Sequence, residues 1–168
     1  PNNNNSSGEA VEEAGASNFF AVFPEDKTII TPTLAQETIL PGVTRASILV
    51  LAAKELGFET REEKLTLAEM KNAKEAFCCG TGACITPVGS VSVFNNHHNS
   101  PKSDEELVYG DGVTPGPITE KLYHMLTGIQ TGSNAELAKK YKEWIHVVQP
   151  DEWVAETYKE WIHVVQTR

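Results

Sequence analysis

Three short stretches of this sequence hold residue types that suit a bound anion or a charged ring. In P-G-V-T-R, residues 41–45, a glycine and a threonine stand where a helix is predicted to begin. The first N–H groups of a helix have no partner inside it. With the positive end of the helix dipole they make a place for a phosphate or a carboxylate. Gly42 lets the chain approach such a ligand closely, and the Thr44 hydroxyl adds a donor. In G-T-G, residues 80–82, a tight turn presents successive N–H groups and the Thr81 hydroxyl, which is the same chemistry in a concave loop. Glu13, just ahead of an apolar strand, could offer its carboxylate to a buried cation. Each also has a plainer reading: an ordinary N-cap, a structural turn, a solvated acidic segment.

Other chemistries find little here. The formal charge of −9 and three scattered arginines, Arg45, Arg61 and Arg168, argue against a nucleic-acid surface, which wants clustered cations. Cys78, Cys79 and Cys84 form no C-x-x-C, and adjacent strand cysteines pair poorly. All three read as reduced thiols of an intracellular protein rather than zinc ligands. The pair His97 and His98, among Asn, Ser and Pro, reads as a solvated loop. Nothing approaches the roughly 18 apolar residues of a membrane span.

The elements that must position these residues can be read from periodicity. Asn18–Phe23 is rich enough in aromatic and β-branched residues for a buried strand, and a turn at residues 24–27 leads to Thr28–Thr31, a hairpin. Ile48, Leu51, Ala52 and Leu56 recur at helical spacing, and Gly57 ends that helix. Thr66 to Glu69 is a capping box opening a short helix over residues 67–74. Residues 75–79 read as a strand before the G-T-G turn, and residues 85–93 as another, with Pro87 at an edge or bend. Residues 94–116 suggest a surface insertion. Pro117 starts a helix with the stripe Ile118, Leu122, Met125, Leu126 and Ile129, ended by Gly132, and Ser133 to Glu136 forms a second capping box. Strands and helices without strict alternation point to an α+β domain. Finally, Y-K-E-W-I-H-V-V-Q occurs identically at residues 141–149 and 158–166, a local duplication or an assembly artefact. One copy is expected to hold a structural place, as a terminal strand. His146 and His163 are one residue copied, not a metal pair.

In combination, and in this order, the stretches carry more. E-A-G-A-S-N-F-F at residues 13–20, I-L-P-G-V-T-R-A-S-I at 39–48 and E-A-F-C-C-G-T-G-A-C-I-T-P-V-G-S-V at 75–91 resemble the class IV aminotransferases, and within them the branched-chain amino acid aminotransferases of the eukaryotic kind. L-T-G-I-Q-T-G at residues 126–132 fits the same subgroup, so the resemblance runs over roughly residues 11–132. It implies the large C-terminal domain of a fold type IV pyridoxal 5′-phosphate enzyme, a mixed strand barrel with flanking helices, here incomplete. Residues 9–149 would be that partial domain, residues 1–8 a disordered or truncated edge, and residues 150–168 a duplicated tail.

The resemblance also implies roles. Glu13 would hydrogen-bond the protonated pyridine nitrogen, Leu40 would pack on a face of the ring, and Val43 and Thr44 would bind the cofactor phosphate with Thr81 adding a hydroxyl. Gly82 would offer its N–H to the substrate carboxylate. The substrates implied are branched-chain amino acids and 2-oxoglutarate, and the assembly a homodimer. Other class IV enzymes, a D-amino acid aminotransferase or an aminodeoxychorismate lyase, share much of the pattern, and a non-catalytic truncated paralogue is the reading from another class. The sequence departs at Ala16, where many members carry a threonine, at Gly82, where alanine is usual, and at Ala83 and Thr86, which stand in place of redox cysteines. The Schiff-base lysine, expected in a strand well before the glutamate, has no counterpart ahead of Lys27, so the chain alone is expected to be inactive.

Overall fold

Asn18–Phe23 (β2) is buried at all six positions, because it runs through the centre of a sheet covered on both faces. Successive strand side chains point to opposite faces, so Phe20 and Val22 enter one core cluster and Phe19, Ala21 and Phe23 the other. The structure is a computed structural model that describes residues 10–12, 14–36, 38–94 and 105–146. Ala10–Val11 (β1) precedes β2, and Thr28–Thr31 (β3) returns antiparallel to it as a hairpin, pairing Ala21 with Ile30. Val43–Leu56 (α1) then crosses over to Glu59–Glu62 (β4), which lies parallel to β3. Gly57 ends α1 in the left-handed conformation, φ 68°.

Leu65–Thr66 (β5) pairs with β1 and leads into Leu67–Met70 (α2), whose capping box is present at Thr66 and Glu69. Glu75–Gly80 (β6) runs antiparallel to the other side of β2, and Cys84–Val88 (β7) pairs with β6. The sheet order is β4-β3-β2-β6-β7. Phe20 stacks on its cross-strand partner Phe77, ring centroids 4.8 Å apart. Ser90–Val93 (β8) and Glu105–Val108 (β9) form a separate ribbon. Pro117–Thr131 (α3) and Ala135–Lys140 (α4) follow. Residues of α1 and α3 fill the core on one face of the sheet, and residues of β5, α2 and β9 fill the other.

Several expectations change. The sheet is α+β as expected but open, not a barrel. Its edges stay separate: β4 carries the exposed charges Glu59, Arg61 and Glu62, and β7 carries Pro87, which cannot donate to a further strand. Residues 85–93 are two strands, split at Gly89, where a Cβ would lie 2.1 Å from the Gly112 carbonyl oxygen. That backbone contact draws residues 105–112 inward, so part of the expected surface insertion is strand β9 with Leu107 and Tyr109 buried. The helix expected over residues 67–74 closes at Met70. α4 is capped by Asn134, which accepts from the Leu137 N–H at 3.1 Å, rather than by Ser133. The first copy of the repeat enters as a short 3₁₀ turn, Lys142–Trp144, not a strand, because Tyr141 turns inward to Glu55. His97, His98 and the second copy lie outside the described residues. Among the described residues no helix is long and apolar enough to cross a membrane.

Candidate functional site

The 41–45 junction and the 80–82 turn lie at one end of the central sheet. β2 starts there at Asn18, opposite Cys79 near the end of β6, and β7 starts there at Cys84, opposite Gly80. Just before β2, Ala14 and Ser17 close a tight turn through two backbone hydrogen bonds, with Gly15 between them at φ 64°. A Cβ on Gly80 would stand 3.6 Å from the Ser17 hydroxyl, so this turn touches the end of β6. The 40–42 loop reaches the same place: the Asn18 side-chain amide donates to the Leu40 carbonyl at 2.9 Å, and the Gly42 N–H donates to that carbonyl at 2.8 Å.

α1 begins directly after this loop. Its first intrahelical bond is Ala46 N–H to the Gly42 carbonyl, 3.0 Å, which leaves the N–H groups of Val43, Thr44 and Arg45 ahead of it. The N-cap is Gly42, which has no side chain to accept from them. Val43 and Thr44 line a cleft of about 620 Å³ with Ser47, Gln130, Trp144 and His146 among its other walls. Its lining holds hydroxyl, amide, indole and imidazole groups and, among the described residues, no carboxylate. A mostly apolar cleft with a few hydrogen-bond donors and no described carboxylate, at an uncapped helix start, suits a phosphate monoester carried on an apolar ring.

Leu40, Val43 and Thr44 thus sit together at the loop–helix junction, with Leu40 67% and Val43 83% exposed. Thr81 and Gly82 are exposed in the hairpin at the same end of the sheet but do not line the cleft. The left-handed residue of that hairpin is Cys84, φ 54°, rather than either glycine. Its thiol donates to the Gln130 side-chain oxygen at 3.3 Å and ties the hairpin to α3. Gly82 has open space where a Cβ would be, so an alanine fits there. Glu13 lies outside the described residues.

Two buried polar neighbours of this junction were not singled out by sequence reading. Asn18 is 5% exposed and carries the loop contact described above; its signal is a polar residue opening an otherwise apolar strand. Arg45, 3% exposed, donates to the Pro32 carbonyl at 3.0 Å and pairs with Glu62 at 2.7 Å. A cation in the first turn of a helix opposes the dipole, which is the signal that it must be held for another reason. Burial pushes the Cys79 thiol up to about 12, with Cys78 adding to the rise and Arg45 opposing it, so this sulfur is protonated and no nucleophile.

Comparison with known proteins gives this arrangement its context. The model of the family described as amino-transferase class IV matches residues 4–91. A branched-chain-amino-acid aminotransferase of Haemophilus influenzae is 38% identical over 122 residues, 73% of this chain and 32% of the relative. The mitochondrial branched-chain-amino-acid aminotransferase 1 of Arabidopsis thaliana is 37% identical over 138 residues, 82% of this chain and 31% of the relative. Among solved structures, the branched-chain amino acid aminotransferase of Escherichia coli matches at TM-score 0.55 and 34% identity, over 71% of this chain and 34% of that one. The PLP-form enzyme of Thermobaculum terrenum matches at TM-score 0.55 and 32% identity, with the same coverage of 71% and 34%. The chain therefore spans about a third of the length of these relatives. The family match spans the 40–44 junction, and the relatives and solved structures agree with it: this chain belongs to the class IV aminotransferase family.

Proposed function

We propose that this chain is the cofactor-cradling part of a pyridoxal 5′-phosphate-dependent branched-chain aminotransferase. In the intact protein, a homodimer, it would move amino groups between leucine, isoleucine or valine and 2-oxoglutarate. The observation that carries this reading is the uncapped start of α1 at Val43 and Thr44, open to an acid-free cleft. The names of the relatives, and the PLP-form structure among them, support it.

When bound, the cofactor supplies a cationic ring that withdraws electrons from the substrate's α-carbon. The residues of this chain hold it. Val43 and Thr44 would bind the phosphate through N–H groups and the Thr44 hydroxyl, and Thr81 would add a hydroxyl from the hairpin. Leu40, 67% exposed, would cover a ring face. Glu13 would keep the ring nitrogen protonated, and the Gly82 N–H would receive the substrate carboxylate. Residues 9–149 form this unit in the proposal and residues 150–168 a duplicated tail. For these 168 residues by themselves, the reading is binding without turnover, since none of the eleven lysines stands where the family's cofactor-linking lysine is expected.

Isothermal titration of the full chain with pyridoxamine 5′-phosphate and with pyridoxamine tests this directly. The phosphate ester is expected to bind at least about tenfold tighter, and Thr44→Val to erase most of that preference, because a hydrogen bond to a charged group is worth roughly 1.5–3 kcal/mol. Equal affinity for the two compounds would refute the reading.

A further inference from the structure

We propose that Asn18 is the positioning residue of the phosphate cradle, locking the first turn of α1 against the β6–β7 hairpin so that donors of both converge on one ligand. The inference rests on the cofactor reading above. Asn18 is buried, and a buried amide is costly unless bonded. Its Nδ2 donates to the Leu40 carbonyl across 22 residues of sequence. The same carbonyl accepts from the Gly42 N–H, so the peptide ahead of α1 is held from two directions. Its Oδ1 lies 2.4 Å from where a Gly42 Cβ would stand, and the two segments approach this closely only because residue 42 is glycine. Through its backbone Asn18 pairs with Cys79, two residues before Thr81. One side chain on the central strand therefore fixes Val43 and Thr44 relative to Thr81 without itself reaching the ligand.

Calorimetry of the full chain with pyridoxamine 5′-phosphate and pyridoxamine reads this out. Asn18→Ala is expected to weaken the phosphate ester about tenfold and leave pyridoxamine unchanged, a split that general loosening of the fold would not produce. Gly42→Ala attacks the same contact from the other side with Asn18 intact, and the same selective loss is expected; it serves where Asn18→Ala does not fold. Once Asn18→Ala has removed the obstruction, adding Gly42→Ala should cost little more. Folded Asn18→Ala and Gly42→Ala proteins that keep the wild-type preference for the phosphate ester would overturn the proposal while the cofactor reading stands. If the wild-type chain shows no preference, the cofactor reading fails and this inference with it.

Discussion

At the scale of single residues, the most consequential contact outside the cleft belongs to Glu75. Its buried carboxylate accepts from the N–H of Ile118 at 3.0 Å, and from the N–H and hydroxyl of Thr119 at 2.8 and 2.7 Å. It thereby caps α3 from a strand 43 residues earlier, in the space left by Gly116, where a Cβ would lie 2.1 Å from the carboxyl carbon. Glu75→Ala is expected to destabilise the chain by about 2–4 kcal/mol, seen as a lower urea midpoint, because two buried donors and one part-buried donor lose their acceptor. Gly82→Ala, by contrast, should stay within about 0.5 kcal/mol of wild type, since the backbone there is not left-handed and the space is open. These two positions mark what the sequence made legible. The Thr66 capping box lies within four residues and could be read directly, whereas the Glu75 cap joins distant segments that no sequence window contains.

At the scale of elements, α1 and the end of α4 are joined by one polar cluster. Glu55 pairs with Lys140 at 2.7 Å and accepts from the Tyr141 hydroxyl. The hydrogen bond from Lys140, then that from Tyr141, holds the Glu55 carboxyl below its ordinary value of 4.5. The stability it contributes is present above that value and lost as pH falls through the lowered one. Burial, aided by Glu55, pushes the Tyr141 phenol from 10 up to about 12, so its contribution is complete below pH 10 and lost as pH rises towards 12. Urea midpoints measured across pH should show wild type exceeding Tyr141→Phe below pH 10, with the gap closing by about pH 12. A gap that is constant in pH would contradict the assignment. The helices themselves were readable from their apolar stripes and glycine stops, and so was the β2–β3 hairpin. The break at Gly89 and the 3₁₀ turn after α4 were not, because the contacts that decide them, Gly89 with Gly112 and Tyr141 with Glu55, are tertiary.

At the scale of the whole molecule, an open sheet with cores on both faces brings three loops to one end, and there the start of α1 faces a cleft. The two glycine-containing turns were legible as turns one at a time, from residue type and spacing, and their anion-binding role is the proposal. Their meeting at one end follows from strand order, which residue spacing does not encode: β2 pairs with β6 across more than fifty residues. The parts of the proposed cradle therefore stood in the sequence before their arrangement did. In the proposed function the α1 start and the β6–β7 hairpin together hold a phosphate ester. An amide-shift map of the ¹⁵N-labelled full chain, titrated with pyridoxamine 5′-phosphate, tests it most directly. The largest shifts are expected at Val43, Thr44 and Thr81, all saturating with one dissociation constant and absent with pyridoxamine. Saturable shifts confined to other residues, or none at Val43 and Thr44, would contradict it.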